Sequence, residues 1–283
     1  MVKYDFSGMK GKVCVITGGA GVIGATLAEG YSAAGCKVAI ADLSKEAADK
    51  VAADIAGRTK NAVIGIQANV LDKVSLGKAN EEIKSRLGMI DILINCAGGN
   101  SPKATTAKEF IEKGDLGELA GTFFGLELEG FDKIFDLNFK GTILPTMVFS
   151  RDMVNASGGA ILNISSMNSF RPLTKIPAYS AAKASINNFT QWLAVHMAKV
   201  NVRVNAVAPG FFVTNQNRFL LTDEKTGQLT PRGNKIINGT PMGKFGEPAD
   251  LVGTALFLTS DLSKFITGVI IPVDGGFSAY SGV

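Results

Sequence analysis

Short runs rich in valine and isoleucine alternate along the chain with longer stretches in which apolar residues recur at helical spacing. Strands buried on both faces give continuous apolar runs, and the amphipathic stretches predict helices that cover those faces. Strands are predicted at 13–17, 38–41, 62–67, 90–95, 159–164, 202–207 and 269–273, and helices at 23–34, 44–56, 72–87, 132–154, 178–198 and 248–260. Because parallel strands need crossover connections, this order predicts an α/β, three-layer, doubly wound fold with a seven-stranded parallel sheet.

No proline-rich or serine-rich linker, charge block or repeat divides the chain. Residues 1–283 are therefore predicted to form one domain. Two stretches, about 98–130 and 211–247, lack the regular alternation. Both follow carboxyl ends of predicted strands, where open α/β sheets bind ligands, and loops this long are usually functional. We expect these two insertions to cover an active site.

The first predicted strand runs directly into a glycine-rich turn and then into a helix. Gly19, Gly21 and Gly24 fit the GxGxxG pattern. A turn without Cβ atoms lets the backbone approach a pyrophosphate, whose charge is stabilised by the free N–H groups and the dipole of the helix start. The strand before this turn and the helix after it strengthen the motif, which predicts a dinucleotide site.

Asp42 ends the second predicted strand, 18 residues after Gly24. A carboxylate at this place can accept hydrogen bonds from both adenosine ribose hydroxyls and would repel a 2′-phosphate. The position therefore favours NAD(H) over NADP(H). Aspartate is also a frequent N-cap or turn residue, and Lys45, three residues on, leaves NADP(H) open.

The charged and metal-binding residue types exclude several kinds of partner. The 283 residues include 29 Lys+Arg and 25 Asp+Glu, a net charge of +4 without a basic run, so nucleic acid is not expected. One histidine, His196, and three separated cysteines match neither a metal site nor a disulfide framework, so no metal is expected. The start lacks a signal-peptide core, and no apolar run approaches the roughly 18 residues of a membrane span. We expect a cytoplasmic protein without a membrane partner.

Tyr179 and Lys183 lie four residues apart in a predicted helix, which places them on the same face. A free tyrosine has a pKa near 10 and is a poor base at neutral pH, and a nearby ammonium can lower that pKa. Such a pair is common on solvated helix faces. It becomes informative beside Ser166, which stands thirteen residues before Tyr179 at the end of a predicted strand.

The ordered motifs resemble those of the short-chain dehydrogenase/reductase family from about Gly11 to Gly276. They are TGGAGVIG, Asn95-Cys96-Ala97-Gly98, Asn138 in FDLNFKG, Ser166, YSAAK and Pro209-Gly210. The resemblance implies a Rossmann fold, hydride transfer between a nicotinamide cofactor and an alcohol or ketone, and a homotetramer or homodimer. It implies that Tyr179 is the general acid/base and that Lys183 holds the nicotinamide ribose and lowers the tyrosine pKa. Ser166 would donate a hydrogen bond to the carbonyl, and Asn138 would orient a water that relays protons.

The resemblance also implies which residues bind the cofactor. They are Gly18, Gly21, Val22, Ile23, Asp42, Leu43, Asn69, Val70, Asn95, Ala97, Gly98, Tyr179, Lys183, Pro209, Gly210, Phe212 and Thr214. Three positions depart from the family pattern. Val22 replaces a glycine, Asn69 replaces an aspartate that commonly contacts adenine, and Cys96 replaces an asparagine. All three lie on the cofactor side, so we expect them to alter cofactor geometry rather than the chemistry.

Polar and cationic residues follow the catalytic strand and the Pro209-Gly210 segment, which suits a hydroxylated anion better than a steroid or a fatty-acyl chain. The strings SFRPLTKIPAYSAAK, PGFFVTNQNRFLLT and PVDGGFSAYSGV resemble the family branch of D-mannonate oxidoreductases, or fructuronate reductases. The expected substrate pair is therefore the sugar acids D-fructuronate and D-mannonate. The substrate contacts expected from these segments are Asn168, Arg171, Asn217 and Arg218.

Other functions remain open alternatives to this one. The chain could reduce another substrate class, such as a different keto sugar acid, a polyol or a 3-oxoacyl group. It could also be a catalytically inactive, NAD-sensing binding protein, because a fold alone does not fix a function. Most loop arginines are solvated or pair with a surface carboxylate, and this is the plain alternative for Arg171 and Arg218.

Overall fold

Seven parallel strands lie side by side in the computed structural model, which describes residues 5–114, 117, 119–156, 158–213, 221–223 and 226–282. Their bounds are β1 Val13–Thr17, β2 Lys37–Asp42, β3 Val63–Gln67, β4 Ile92–Asn95, β5 Gly159–Ile164, β6 Val202–Pro209 and β7 Ile270–Val273. The strand order is β3-β2-β1-β4-β5-β6-β7, and every neighbouring pair is parallel. The predicted α/β class and seven-stranded parallel sheet are confirmed.

Helices cover both faces of this sheet. Their bounds are α1 Val22–Ala33, α2 Lys45–Thr59, α3 Lys73–Arg86, α4 Leu128–Phe135, α5 Gly141–Phe149, α6 Arg151–Asn155, α7 Pro177–Met197, α8 Pro231–Asn238 and α9 Asp250–Thr259. The helices α1, α2, α3, α7 and α9 match predicted helices with small shifts at their ends. Within the described ranges, no helix has the length and apolar character needed to cross a membrane.

Alternate residues of each central strand pack into two separate cores. In β1, Cys14 and Ile16 are buried against α1, α2 and α9. Val13 and Val15 point the other way and pack against α3, α5 and α7. Burying a valine or isoleucine side chain stabilises the fold by about 1.5–3 kcal/mol, so these runs fix which strands lie at the centre.

The predicted helix at 132–154 is helical at every residue except Ser150, but it is not regular. It consists of the end of α4, a π-helical turn at Asp136–Lys140, α5 and the short α6. Pro145 lies inside α5 and has no backbone N–H to donate. In the π turn, the Asn138 side chain donates to the Ile134 carbonyl oxygen at 2.9 Å. π turns of this kind insert a residue into a helix and are frequent at functional sites.

The two insertions contain more regular structure than the sequence predicts. The segment after β4 includes 3-10 turns at Pro102–Ala104, Leu119–Gly121 and Phe123–Gly125. The segment after β6 includes helix α8, which was missed. The Thr230 side chain caps α8 by accepting from Gly233 N at 3.0 Å, and Pro231 is its first residue. A threonine followed by proline is a known helix-start signal that could have identified this helix.

Strand order determines where a ligand can enter the sheet. β1 lies between β2 and β4, so the chain direction of the crossovers reverses at β1. In open α/β sheets, the crevice outside the carboxyl ends of the strands at such a switch point binds ligands. The loops after β1, β4, β5 and β6 all lie at this edge.

Candidate active site

A cleft of about 550 Å³ lies at the carboxyl edge of the sheet. Its lining residues come from the ends of β1, β2, β4, β5 and β6 and from the start of α7. They are Gly18, Gly21, Val22, Ile23, Gly24, Asp42, Cys96, Ala97, Gly98, Gly99, Ile164, Ser165, Ser166, Tyr179, Lys183, Pro209, Gly210, Phe211 and Phe212. The structure thus brings the glycine turn, Tyr179, Lys183 and Ser166 into one cavity.

The glycine turn forms a surface of bare backbone at one end of the cleft. Gly18 has φ +61°, and a Cβ there would lie 2.8 Å from the Ala97 Cα. A Cβ on Gly24 would lie 2.4 Å from the Gly18 carbonyl oxygen. Helix α1 begins immediately after Gly21, and no side chain caps its first N–H groups. These N–H groups and the missing Cβ atoms fit a pyrophosphate.

Asp42 holds the glycine turn and lines the cleft at the same time. Its Oδ2 accepts a hydrogen bond from Ala20 N at 3.0 Å. Lys45, which could have attracted a phosphate, instead forms an ion pair with Asp49 at 2.5 Å. Leu43 is exposed at the rim. The Asp42 carboxylate therefore lines the cleft at the end of β2, while Lys45 is paired with Asp49.

Two predicted cofactor residues, Asn69 and Val70, are not among the described residues that line the cleft. The Asn69 Oδ1 accepts from Leu71 N at 2.9 Å and shapes the turn before α3. Val70 is nearly buried and packs against Gly141 at the start of α5. Asn69 is half-buried and Val70 nearly buried after the end of β3, and their contact with the cofactor stays a prediction.

Asn95 lies beneath the cleft rather than in it. Its side-chain amide donates to Thr146 Oγ1 at 2.9 Å and to Asn163 Oδ1 at 2.8 Å. Asn163 in turn donates to Thr190 Oγ1 at 2.9 Å. This buried polar chain ties β4 and β5 to α5 and α7, so Asn95 supports the cleft from below.

Thr17 is a site residue that sequence reasoning missed. Its Oγ1 accepts from Cys96 N at 3.1 Å and from Ala97 N at 3.3 Å. These bonds join the end of β1 to the end of β4 directly under the glycine turn. The signal was present as the threonine that opens TGG. Cys96 itself lines the cleft, and burial raises the pKa of its thiol to about 12, so the thiol is neutral.

Tyr179 and Ser166 both line the cleft, and the Ser166 hydroxyl interacts with the Tyr179 phenol closely enough to lower the pKa of Tyr179. Helix α7 begins at Pro177, which suits a first helical position, so Tyr179 lies in the first turn. Lys183 follows one turn later, and its Nζ lies 5.7 Å from the centre of the Tyr179 ring. The Lys183 Nζ donates to the Ile164 carbonyl oxygen at 2.8 Å, which ties α7 to the end of β5.

Burial has the largest effect on the pKa values of Tyr179 and Lys183. It raises the pKa of Tyr179, and the hydrogen bond with Ser166 offsets part of that rise. Burial also lowers the pKa of Lys183 to about 8. The expected lowering of the tyrosine pKa by Lys183 is therefore not seen in this arrangement, because desolvation of the phenol is the larger effect.

Asn138 lies in the π turn and is completely buried. Its amide nitrogen donates to the Gly99 carbonyl oxygen at 2.7 Å, and its Oδ1 accepts from Gly99 N at 3.2 Å. A Cβ on Gly98 would lie 2.8 Å from this Oδ1 and 3.3 Å from the Lys183 Nζ. Asn138 and Lys183 therefore approach the same point, beside a position that requires glycine.

A second polar network fixes the turn that carries Ser166. The Ser165 Oγ donates to Asn187 Oδ1 at 2.5 Å, and Asn187 Nδ2 donates to Ser169 Oγ at 2.8 Å. The Ser169 Oγ donates to the Ser166 carbonyl oxygen at 2.5 Å. Asn187 lies two turns after Tyr179 on α7. The same helix therefore positions the hydroxyls of Tyr179 and Ser166. No sequence motif indicated Asn187.

The predicted substrate residues differ in exposure and in hydrogen bonding. Asn168 is 5% exposed, and its backbone N donates to Ser166 Oγ at 3.3 Å. Its side-chain Oδ1 is buried without a hydrogen-bond partner. Arg171 is exposed, and its Nη1 donates to the Tyr280 carbonyl oxygen at 2.8 Å. Thr214, Asn217 and Arg218 lie outside the described residues.

The two insertions meet beside the start of α7. Glu109, from the segment after β4, forms an ion pair with Lys235 of α8, from the segment after β6. The backbone N of Thr106 donates to the Lys175 carbonyl oxygen at 2.9 Å, four residues before Tyr179. The hydrogen bond to Lys235 lowers the pKa of the Glu109 carboxyl.

Proteins of similar sequence and structure match this chain over nearly its whole length. A family profile described as enoyl-(acyl carrier protein) reductase matches residues 18–278. An uncharacterised oxidoreductase of Haemophilus influenzae is 50% identical to this chain, and the alignment covers 97% of this chain and 96% of the relative. The uncharacterised oxidoreductase UxuB of Bacillus subtilis is 49% identical, over 97% of this chain and 98% of its own. A solved Haemophilus structure with bound NAD, provisionally described as a D-mannonate oxidoreductase, is 50% identical with a TM-score of 0.91, over 97% of each chain.

Proposed function

Since this chain belongs to the short-chain dehydrogenase/reductase family of oxidoreductases that act on CH–OH groups, we propose that it interconverts D-fructuronate and D-mannonate with NAD(H). The observation that carries the chemistry is the meeting of Ser166, Tyr179 and Lys183 in one cleft with the glycine turn. The substrate choice is supported by the 50% identity to the NAD-bound structure described as a D-mannonate oxidoreductase. The whole chain acts in this proposal as one domain whose segments 98–130 and 211–247 cover the site.

The chain's own residues fit a nicotinamide dinucleotide along the cleft. Gly18, Gly21, Val22 and Ile23 would hold the pyrophosphate, because bare backbone and uncapped N–H groups meet there. Asp42 would accept hydrogen bonds from the adenosine ribose. Pro209, Gly210 and Phe212, at and just beyond the end of β6, would hold the nicotinamide, together with Thr214. Bound NADH supplies a hydride to the substrate carbonyl carbon.

The side chains at the centre of the cleft manage the proton. Ser166 donates a hydrogen bond to the carbonyl oxygen and so stabilises the negative charge that develops there. Tyr179 delivers its hydroxyl proton to the same oxygen and regains it through Lys183. The Asn138 Oδ1 has a second lone pair, and with Lys183 it would orient the water that completes this relay. The carbonyl oxygen thus becomes the alcohol while each residue returns to its starting state.

The substrate side of the cleft is proposed to recognise a hydroxylated anion. Asn168 remains a proposed contact: it lies two residues after Ser166 and its buried Oδ1 lacks a partner, but it is not among the described residues that line the cleft. Asn217 and Arg218 remain proposed contacts for the substrate hydroxyls and carboxylate. Arg171 is already engaged with the Tyr280 carbonyl oxygen, which leaves it a weaker candidate for this role.

Asp42 is expected to set the preference for NADH. In the Asp42→Asn variant, the side-chain oxygen can still accept from Ala20 N, but the charge that repels a 2′-phosphate is gone. We expect the ratio of kcat/KM for NADH to that for NADPH to fall by about 10–100-fold, the value of a charged hydrogen bond. Asp72→Asn is the matched control, because asparagine also caps a helix and Asp72 caps α3 away from the cleft. An unchanged cofactor ratio in Asp42→Asn would remove Asp42 from this role.

The kcat/KM for ketone reduction is expected to fall above pH 8. The free enzyme's kcat/KM reports the pKa of its essential groups, and the pKa of Lys183 is about 8, so the proton relay fails as the lysine is deprotonated. Unfolding would not explain this loss. The folded pKa of Lys183 lies below its ordinary 10.5, so this group's contribution to stability increases as the pH rises from about 8 to 10.5. Circular dichroism across the same pH range is the control, and a flat profile from pH 7 to 10 would contradict the assignment.

The alternative functions are separated by substrate panels. Consumption of NADH and NADPH is measured with fructuronate, other keto sugar acids, ketoses and a 3-oxoacyl thioester. The proposal predicts the highest kcat/KM for fructuronate with NADH. Highest activity with the 3-oxoacyl thioester would place the chain in another substrate class, and NADH binding without turnover of any ketone would indicate a sensing protein.

The assembly is proposed to be a homotetramer or a homodimer built on α5 and α7. Both helices carry exposed apolar side chains, with Met147, Trp192 and Val195 each more than half exposed. Exposed groups of this size on neighbouring helices are typical of subunit contacts. Sedimentation equilibrium tests this proposal, and a monomer at micromolar concentration would exclude it.

A further inference from the structure

The last nine described residues begin with a sharp turn that is held by hydrogen bonds. This segment, Asp274 to Gly282, is called the tail below. Gly275 and Gly276 have φ of +64° and +88°, which turns the chain sharply after β7. The Asp274 carboxylate accepts from Gly276 N at 3.0 Å and from Ser278 N at 2.8 Å. The turn directs the tail back across the carboxyl edge of the sheet.

The tail packs first against the segment that follows β6. The rings of Phe277 and Phe211 meet edge to face, with centroids 5.3 Å apart, and Phe211 lines the cleft. The backbone N of Gly210 donates to the Val273 carbonyl oxygen at 3.0 Å. A Cβ on Gly210 would lie 2.6 Å from the Asp274 Cα. The start of the tail and the proposed nicotinamide segment therefore fit each other closely.

The tail also contacts the segment that follows β5. The Arg171 Nη1 donates to the Tyr280 carbonyl oxygen at 2.8 Å. Arg171 lies five residues after Ser166, and its own backbone N donates to the Met167 carbonyl oxygen at 3.3 Å. This hydrogen bond joins the segment after β5 to the tail, across 109 residues of sequence.

We propose that the tail is a positioning element of the active site, and that Arg171 acts through it rather than as a ligand of the substrate carboxylate. Phe277 holds the segment after β6, and Tyr280 holds the segment after β5 through Arg171. The tail thereby fixes the distance between the hydroxyl of Ser166 and the nicotinamide segment. This inference rests on the proposed function in one respect. It takes the segment after β5 as the support of the substrate carbonyl and the segment after β6 as the support of the nicotinamide. A displacement of about 1 Å between reacting groups can cost on the order of 10²-fold in rate.

A double-mutant cycle tests the role of Arg171. One variant is Arg171→Ala, the second ends at Ala279 and so lacks the Tyr280 carbonyl, and the third combines both changes. Each single variant is expected to lower kcat by about tenfold, and the combined variant by no more than either alone, because both remove the same contact. Additive effects, with KM for fructuronate raised by Arg171→Ala only, would overturn the proposal and return Arg171 to the substrate. Arg86→Ala, an exposed arginine on α3, is the control that should leave activity unchanged.

Hydrogen exchange supplies a readout that does not depend on turnover. Faster amide exchange is expected at 166–171 and at 209–213 in the Arg171→Ala variant and in the milder Phe277→Leu variant. Unchanged exchange in both segments would overturn the proposal even if the truncated chain fails to fold. If exchange accelerates while fructuronate is not a substrate, the positioning role stands and only the proposed substrate fails.

Discussion

Replacing Tyr179 with phenylalanine is expected to lower kcat by about 10²–10⁴-fold, the usual contribution of general acid–base catalysis, and to leave the Kd for NADH within about twofold. The hydroxyl of Tyr179 belongs to the same cleft as the Ser166 hydroxyl, which lowers the pKa of Tyr179. Phenylalanine keeps the ring and its packing against the small apolar cluster of Ala104, Ile134, Ala178 and Ala182 but removes the proton donor. Pre-steady-state kinetics and NADH fluorescence titration separate the chemical step from cofactor binding.

Tyr31→Phe is the matched control for this result. The Tyr31 hydroxyl is buried and donates to the Ala255 carbonyl oxygen at 2.9 Å, in the core between α1, which carries Tyr31, and α9. We expect this variant to lose about 1 kcal/mol of stability and to retain its kcat. Near-normal turnover in Tyr179→Phe would exclude Tyr179 as the acid/base, and an equal loss in both variants would mean that the effect is structural.

Replacing Gly24 with alanine is expected to weaken NADH binding by on the order of 10²-fold, because the added Cβ forces the glycine turn to move. That Cβ would lie 2.4 Å from the Gly18 carbonyl oxygen and 2.7 Å from the Gly19 Cα, both of which are backbone atoms. Backbone cannot rotate out of the way as a flexible side chain can. Isothermal titration with NADH measures the loss.

Gly77→Ala is the matched control for the turn. Gly77 lies inside α3, and nothing lies within 4 Å of a Cβ built there. The same substitution should therefore stabilise the protein by about 0.5–1 kcal/mol, because alanine favours a helix interior, and NADH binding should be unchanged. Equal Kd values for Gly24→Ala and the parent protein would mean that the turn does not contact the cofactor.

The parts of the fold that the sequence predicts are those determined by local pattern. The bounds of β1 and β5 agree with prediction, because each strand is mostly apolar and a turn ends it. The helix at 132–154 was predicted as one piece, since its apolar spacing continues through Pro145 and the π turn. Helix α8 was missed because its eight residues carry only a short apolar pattern.

The residues of the candidate site also divide into those that local sequence motifs predict and those that depend on tertiary contacts. Tyr179, Lys183 and Ser166 belong to motifs with fixed spacing, and the shared sheet edge brings them together. Asn187 and the Arg171–Tyr280 contact depend on how loops and a helix meet in space, over separations that no motif records. The spacing of Tyr179 and Lys183 predicts that they share a face, but their pKa directions follow from burial, which spacing alone does not determine.

Transfer of deuterium from labelled NADH to fructuronate is the decisive test of the proposed reaction. The enzyme is incubated with fructuronate and NADH that carries deuterium at the transferable position, and the product is examined by NMR and mass spectrometry. The expected product is D-mannonate with one deuterium on the former carbonyl carbon, formed with NADH far faster than with NADPH and lost in the Tyr179→Phe variant. Absence of labelled mannonate, while another ketone accepts the deuterium efficiently, would contradict the proposed reaction.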